Sequence, residues 1–412
     1  MASWSFKLAD IKTDTTLADI TSATLTATVS PRLNRPLSMQ LTLPADDANV
    51  RAAAFDGDRN LVVGTRCLKA YRNGILRGNV IVWNLEYTGD QDQTQVVVTG
   101  YDPAQRFKTR LVYDGSGNLA DPSFASPMSG AEIILDVLDN SATYDDATIS
   151  GVTPAVFPVD TSTGAYDITI PPAVDLSSQL SDGPTTVADL YSLLTNTGAV
   201  DIVLQPVDST MGFSAGIMAQ LNAYNQFGVD LTATVNLDYA TGDHSISSIR
   251  RVFDMDELTN KLRFLLGPKP DPSDPEHWAG SIDATETTPV DMSAYLALEL
   301  ASRQKYGAYA LQTVYDSDGA ENTVRTLFHT LFQTQIDLCV NPRELLYVTP
   351  STDAPFEPFD DYFIGDIIKI NASDIAGPAI GGEAQRIYGF DVTIDADGVE
   401  TVGELICSGD AE

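Results

Sequence analysis

Both ends of the chain alternate apolar and polar residues with a period of two, which restricts them to half-buried β-strands. Trp4, Phe6 and Leu8 alternate with Ser5, Lys7 and Ala9, and Leu37, Met39, Leu41 and Leu43 alternate with polar or small neighbours. The runs LVVGTRCLKAYR, GNVIVWNLEY and TQVVVTGY continue the pattern, the last two joined by the hairpin-type loop TGDQDQ. A short helix is expected between Ala45 and Phe55, after Pro44. From Asp337 onward ELLYVTP, YFIGDIIKI, AQRIYGFDVTI and VETVGELIC read as strands, and Asp395-Ala396-Asp397-Gly398 suits a hairpin turn. The two ends echo each other. Each runs Gly, strand, polar turn, Gly-rich link, long strand, Asp-rich turn, strand.

The middle reads differently. Ser129 with Glu132, and Thr186 with Asp189, are capping pairs that each open a helix, and Gly198 suits the stop of the second. VDIVLQPV and LTATVNLDY read as strands, the second with threonines on its wet face. IRRVFDMDELTNKLRFLLGP reads as strand, helix, strand, broken at Gly267-Pro268. PKPDPSDPEHW is a surface loop, because proline cannot donate to a ladder. MSAYLALELASRQKYG and AENTVRTLFHTLFQTQ read as helices, the first ending at Gly307. The expectation is a β-rich α+β chain: a β-domain over residues 1–112, an acidic Pro/Gly/Thr-rich insert with helices over 113–198, a mixed α/β segment over 199–310 and a second β-domain over 311–412.

Charge narrows the function. The 412 residues carry 24 Lys and Arg against 57 Asp and Glu, a net of −33. The excess is uneven: residues 1–112 sum to +2, while residues 113–249 hold 17 acids and no Lys or Arg at all. Such a surface repels nucleic acid and anionic lipid, so groove binding to DNA is disfavoured. Adaptation to high salt and repulsion of a passing polyanion both account for it. A hydrophobic share of 43% excludes wholesale disorder. No apolar run reaches the roughly 18 residues of a membrane span, and the start MASWSFKLADIK reads as a strand rather than a signal peptide.

Sites of chemistry are scarce. His244, His277 and His329 show neither HxH nor HExxH spacing, so no metal ligands are assigned. There is no G-x-S-x-G elbow, Walker A loop or G-x-G-x-x-G. Cys67, Cys339 and Cys407 lie far apart and read as buried thiols, Cys339 as a strand residue rather than a partner of His329. Asp316-Ser317-Asp318-Gly319 and Asp395-Ala396-Asp397-Gly398 resemble half a calcium loop but read as Asx turns. Arg106, Lys108 and Arg110 form the tightest basic cluster, read either as one face of an edge strand or as a salt-bridging rim against an acidic neighbouring subunit. No catalytic, cofactor-binding or metal residue is named, and no enzymatic activity or cofactor is expected.

The order of these segments resembles the baseplate hub, or tail-hub minor tail, proteins of tailed bacteriophages, closest to the shorter hub type of long-tailed phages infecting actinobacteria. PRLNRPLSMQLTLPADD resembles the family's opening strands, and GTRCLKAYRNGILRGNVIVWNLEYTGDQDQTQVVVTGYDPAQRFKTRLV its first barrel. SGAEIILDVLDNS and TTVADLYSLLTNTGAVDIVLQP resemble its middle helices, and FIGDIIKI with AQRIYGFDVTIDADGVETVGELI its closing barrel. The resemblance implies two tube-type β-domains per chain flanking middle domains. It implies a homotrimer whose ring of pseudo-sixfold symmetry joins a sixfold tail tube to a threefold tip and lines the DNA exit channel. The implied partners are the distal tail protein, the tape measure protein and tail-tip or fibre proteins, with genome DNA passing through unbound. The implied location is the virion tail tip, after synthesis in the host cytoplasm. The alternative is a tail-tip adhesin or carbohydrate-binding module.

Overall fold

The computed structural model describes residues 2–54, 63–89, 94–112, 159–160, 186–196, 201–224, 227–239, 245–254, 261–266, 280–285, 303–305, 343–372 and 380–408, and the account below concerns these. They are β-rich, with few helices. The expected helices opening at Ser129 and spanning AENTVRTLFHTLFQTQ lie outside them, as do Gly198, the Pro-rich loop, all three histidines, Cys339 and the turn at Asp316.

The N-terminal strands are β1 (Trp4–Asp10), β2 (Thr16–Asp19), β3 (Thr26–Ser30), β4 (Ser38–Pro44), β5 (Arg66–Arg72), β6 (Ile75–Gly89) and β7 (Thr94–Tyr101). The middle supplies β8 (Val159–Asp160), β9 (Asp201–Pro206), β10 (Ala219–Tyr224), β11 (Asn236–Asp238), β12 (Ile246–Asp254), β13 (Lys261–Leu266), β14 (Gly280–Thr285) and β15 (Arg303–Lys305). The C-terminal part supplies β16 (Arg343–Pro350), β17 (Ile367–Ala372), β18 (Ile380–Gly389), β19 (Val392–Asp395), β20 (Glu400–Val402) and β21 (Leu405–Ser408).

Two larger sheets carry the molecule. One has the order β2-β1-β5-β6-β7-β4-β3-β19-β20, the other β11-β17-β18-β21-β16-β12. Their inward residues merge into one apolar cluster that runs from Phe6, Leu41 and Val98 to Leu346, Ile368 and Phe390. The period-2 reading holds at atomic level: Trp4, Phe6, Leu8, Met39, Leu41 and Leu43 are all buried.

The first sheet curls until its ends meet. Trp4 on β1 donates its indole N–H to Glu400 on β20 at 2.7 Å. Arg72, the last residue of β5 and 1% exposed, donates Nε to the same carboxylate at 2.9 Å. Its other nitrogens reach Glu357 at 2.7 Å and Asp360. Side chains rather than backbone therefore close the near-barrel.

The middle segment is fastened through buried carboxylates. Asp201 on β9 accepts from Asn34 at 2.9 Å, from the Phe227 N–H at 2.8 Å and from Arg386. Asp208 accepts from Tyr71 at 2.9 Å, and Lys69 pairs with Asp14 at 2.6 Å and with Asp208 at 3.4 Å. These charges are buried among donors, the condition under which a buried ion is tolerated.

The expected Thr186–Asp189 capping pair is present at the start of α2 (Val187–Asn196), with reciprocal bonds at 2.9 and 3.2 Å. In α1 (Ala48–Ala54), inside the expected short helix, Asp47 caps the N–H groups of Asn49 and Val50. The hairpin turn at Asp395 also forms: its Oδ1 accepts from Asp397 and Val399, and Gly398 takes φ +78°.

Several readings need correction. LTATVNLDY is not one strand, because Asp230 makes an Asx turn onto Thr232 and the chain folds through Thr234 before β11 begins. Residues 303–305, read as helix, form β15 because they pair in parallel with Leu262–Phe264, and a tertiary ladder overrides local propensity. AQRIYGFDVTI breaks at Phe390-Asp391 and changes sheets, and VETVGELIC breaks at Gly403-Glu404 and changes back. Arg106 and Lys108 lie not on a strand but in a 3-10 helix, Pro103–Thr109, with Arg110 as its C-cap.

That 3-10 helix starts at a buried carboxylate. Asp102 accepts from the Leu37 N–H at 2.8 Å and the Ala104 N–H at 2.9 Å. Burial raises its pKa to about 7, against the lowering effect of the two N–H donors. The folded state therefore holds a proton that the unfolded chain has released between about pH 4 and pH 7, so rising pH costs stability across that window. Asp102→Asn abolishes the titration. Denaturant unfolding at pH 5, 6, 7 and 8 should show the wild type losing about 2 kcal/mol relative to the variant over that range. A constant difference would rule out the buried titration.

Candidate subunit interface

The strands of the two ends follow one plan. In the first, the order β5-β6-β7-β4-β3 is antiparallel throughout, and in the second so is β17-β18-β21-β16-β12. Their irregularities also coincide. β5 and β6 slip register between Ala70 and Tyr71, and β17 and β18 slip between Ile370 and Asn371. Further along the long strand, β6 slips against β7 between Val82 and Asn84, and β18 slips against β21 between Ile387 and Gly389. From Gly78, opposite the first slip, to Val82 is four residues, as from Glu383 to Ile387. Bulges are built features that bend a strand at a set place, so two matching bulges at matching spacing mark a repeated unit.

Aligning the bulges equates Val82 with Ile387, Trp83 with Tyr388, Tyr87 with Val392 and Thr88 with Thr393. Through the ladders it also equates Met39 with Leu346, Val29 with Arg251 and Thr28 with Arg250. The echo between the ends seen in the sequence is thus a structural repeat.

The two copies differ in one respect. In the second, the long strand leaves its own sheet after Gly389 and continues as β19 in the first sheet, where it pairs with β3. The crossing is held by Arg32, which donates to the carbonyls of Pro31 and Phe390 and to the Asp391 carboxylate at 2.6 Å. The Leu33 N–H adds a bond to the Tyr388 carbonyl at 2.8 Å. Val392 and Ile394 enter the core, while Thr393 and Thr28 meet on the outer face with their hydroxyls 3.5 Å apart. The hairpin of the second unit thereby covers the β3 edge of the first.

Among the described residues, the counterparts of these surfaces carry less cover. β12, equivalent to β3, ends the second sheet, with β16 on its inner side. β6 is covered by β5 only as far as Ile81, so its distal half runs beyond β5. That half presents Trp83, 37% exposed, and Tyr87, 44% exposed. Val63, Gly64, Val82, Trp83, Arg106 and Arg110 line a shallow groove beside it. The basic cluster singled out in the sequence thus supplies two arginines to the rim of this groove.

The thiols play no visible part. Cys67 and Cys407 are buried and free, and burial pushes the Cys67 thiol up to about 12 and Cys407 higher still. Among the described residues no cluster of His, Cys, Asp and Glu is arranged to hold a metal ion. What sequence reasoning missed is the switch at Gly389 and the buried role of Arg72. The 3-10 cap was legible in Asp102-Pro103, an N-cap carboxylate followed by proline at the first helical position.

No protein-family model matches the chain, and no curated protein does. Solved structures do. The 43 kDa tail protein of prophage MuSo2 from Shewanella oneidensis aligns over 100% of this chain and 99% of its own, at 12% identity and a TM-score of 0.52. A tail protein from Neisseria meningitidis MC58 aligns over 99% and 97%, at 10% identity and a TM-score of 0.53. The prophage tail protein gp18 of Listeria monocytogenes EGD-e aligns over 99% and 95%, at 10% identity and a TM-score of 0.50. The chain shares its fold with these phage tail proteins, end to end.

Proposed function

We propose that the chain is a structural hub subunit of a phage-type tail, in which three copies close into a ring of six related β-units. The observation that carries this reading is the repeat: each chain brings two units, and one of its two unit-to-unit junctions is already made internally by β19 on β3. A heterologous junction repeated around a closed ring leaves no exposed edge. Three such chains present sixfold-like symmetry to a tail tube and threefold symmetry to a tip, a match that two units per chain make possible. The fold shared with tail proteins supports the setting.

In this reading the protein works by assembly, not turnover, at the distal end of the tail. Its neighbours are a distal tail protein, a tape measure protein and tip or fibre proteins, and genome DNA leaves through the ring. A net charge of −33 keeps DNA from adhering during that passage. Electron-microscopic class averages of the purified protein test the proposal. The expected particle has six lobes around an open centre, and isolated single-chain particles or closed lumens would overturn it.

A further inference from the structure

A second cleft shares no residue with the groove beside β6. It opens between the β5–β6 hairpin, β9 and the segment at Phe363, and holds about 490 Å3. Small-molecule sites span roughly 300–1,000 Å3. We infer that this cleft binds a small organic monoanion, a carboxylate carried on an apolar body. The site lies beyond the ring reading and does not depend on it.

The apolar half of the argument is the wall. Leu37, Ile202 and Ile364 are buried along it. Ile75 and Met211 border the same space but are more than half exposed, so they stand at its mouth as two large apolar side chains facing water. Apolar groups gathered in the open beside a cavity point to something that covers them.

The polar half is what converges on the cleft. Asn222 on β10 lines it and is only 8% exposed, yet its side-chain amide has no hydrogen-bond partner among the described residues. A buried amide left unpaired carries a desolvation cost that a ligand oxygen would offset. Three arginines border the same space. Arg32 is balanced by Asp391 at 2.6 Å, and Arg77 faces Asp360 at 3.4 Å. Arg35 is exposed and makes no ion pair or hydrogen bond among the described residues. It leaves one unbalanced positive charge at the cleft, in a chain of net −33. Asp102 also borders the cleft, with its two carboxylate oxygens on the Leu37 and Ala104 N–H groups. Burial raises its pKa to about 7, so it carries little charge at pH 6. One free guanidinium, one free amide and an apolar wall together select an amphiphile with a single carboxylate.

Calorimetric titration of the full chain with decanoate at pH 6, below the concentration at which it forms micelles, tests the site. Decanol, the same apolar body without the charge, is the comparison. Decanoate should bind once per chain and raise the thermal unfolding midpoint, and decanol should bind about tenfold more weakly. Arg35→Glu, a surface substitution, should weaken decanoate about tenfold and leave decanol unchanged. Asn222→Leu, close in size, should weaken decanoate several-fold without weakening decanol. No binding of decanoate, equal binding of the two compounds, or decanoate binding undiminished by both substitutions would each overturn the site.

Discussion

Arg72→Ala should lower the unfolding free energy by about 3–5 kcal/mol, the range for removing one partner of a buried ion pair. Arg72 is 1% exposed, yet three carboxylates converge on it: Glu400, Glu357 and Asp360. Glu357 and Asp360 are partly exposed, at 55% and 41%, and can return to water when the guanidinium is lost. Glu400, at 11%, cannot, and keeps only the Trp4 indole as a donor. The loss therefore comes mainly from one stranded carboxylate and from a void beside Phe359. The same residue holds the two ends of the first sheet together, so the near-barrel should open where β20 meets β1. Arg72→Lys should recover part of the loss, because an ammonium cannot reproduce the fork that reaches three acids. Denaturant titration measures both variants, and a loss under 1 kcal/mol for Arg72→Ala would mean that the sheet closes by other means.

Gly228→Ala should cost about 2–4 kcal/mol, the sum of an overpacked site and a left-handed backbone. Gly228 has φ +96° and lies directly against the backbone of Gly365, itself at φ +86°. A Cβ at Gly228 would fall inside contact distance of the Gly365 carbonyl, and backbone cannot swing aside as a side chain can. The approach brings the Val229 N–H to the Asp366 carboxylate at 2.9 Å and the Ile367 N–H to the Val229 carbonyl at 3.0 Å. These bonds seat the middle segment at the start of β17. Gly398→Ala is the comparison: its φ is +78°, but nothing lies within 4 Å of its Cβ, so it should cost only the backbone strain of about 1–2 kcal/mol. Equal losses in the two variants would show that close approach contributes nothing at Gly228.

Much of the strand content was legible because alternation is a local signal. Trp4, Phe6 and Leu8 announce β1, and Leu37 to Leu43 announce β4, without reference to anything distant. The echo between the two ends was legible in the same way, as an order of glycines, strands and Asp-rich turns. What it could not convey is where the second copy's long strand goes. AQRIYGFDVTI reads as one strand, and its break after Gly389 depends on Arg32 and Pro31, which lie more than 350 residues away in the chain. Nor does the sequence separate β19, which crosses to the first sheet, from the distal half of β6, which stays in its own sheet beside β7. Arg72 sits in an apolar alternation where its charge looks like an outward-facing residue, and only the fold brings Glu357, Asp360 and Glu400 to it. The turn at Asp230 and the strand at Arg303 show the opposite error, where a local pattern gave way to an Asx bond in one case and to a parallel ladder in the other.

Self-repulsion bears on how the ring should be tested. A surface of net −33 opposes close approach of copies at low ionic strength, and salt screens that repulsion over a Debye length of about 8 Å at physiological strength. Strand addition, by contrast, depends little on salt. Assembly should therefore strengthen as salt rises.

The most direct measurement is the mass of the purified protein by light scattering, at low and at high salt. The ring account predicts particles of three times 44.3 kDa, with the trimer fraction rising with salt. A single-chain or dimeric mass at every salt concentration would contradict it, because an even or solitary count of chains cannot close six units from pairs into one threefold ring.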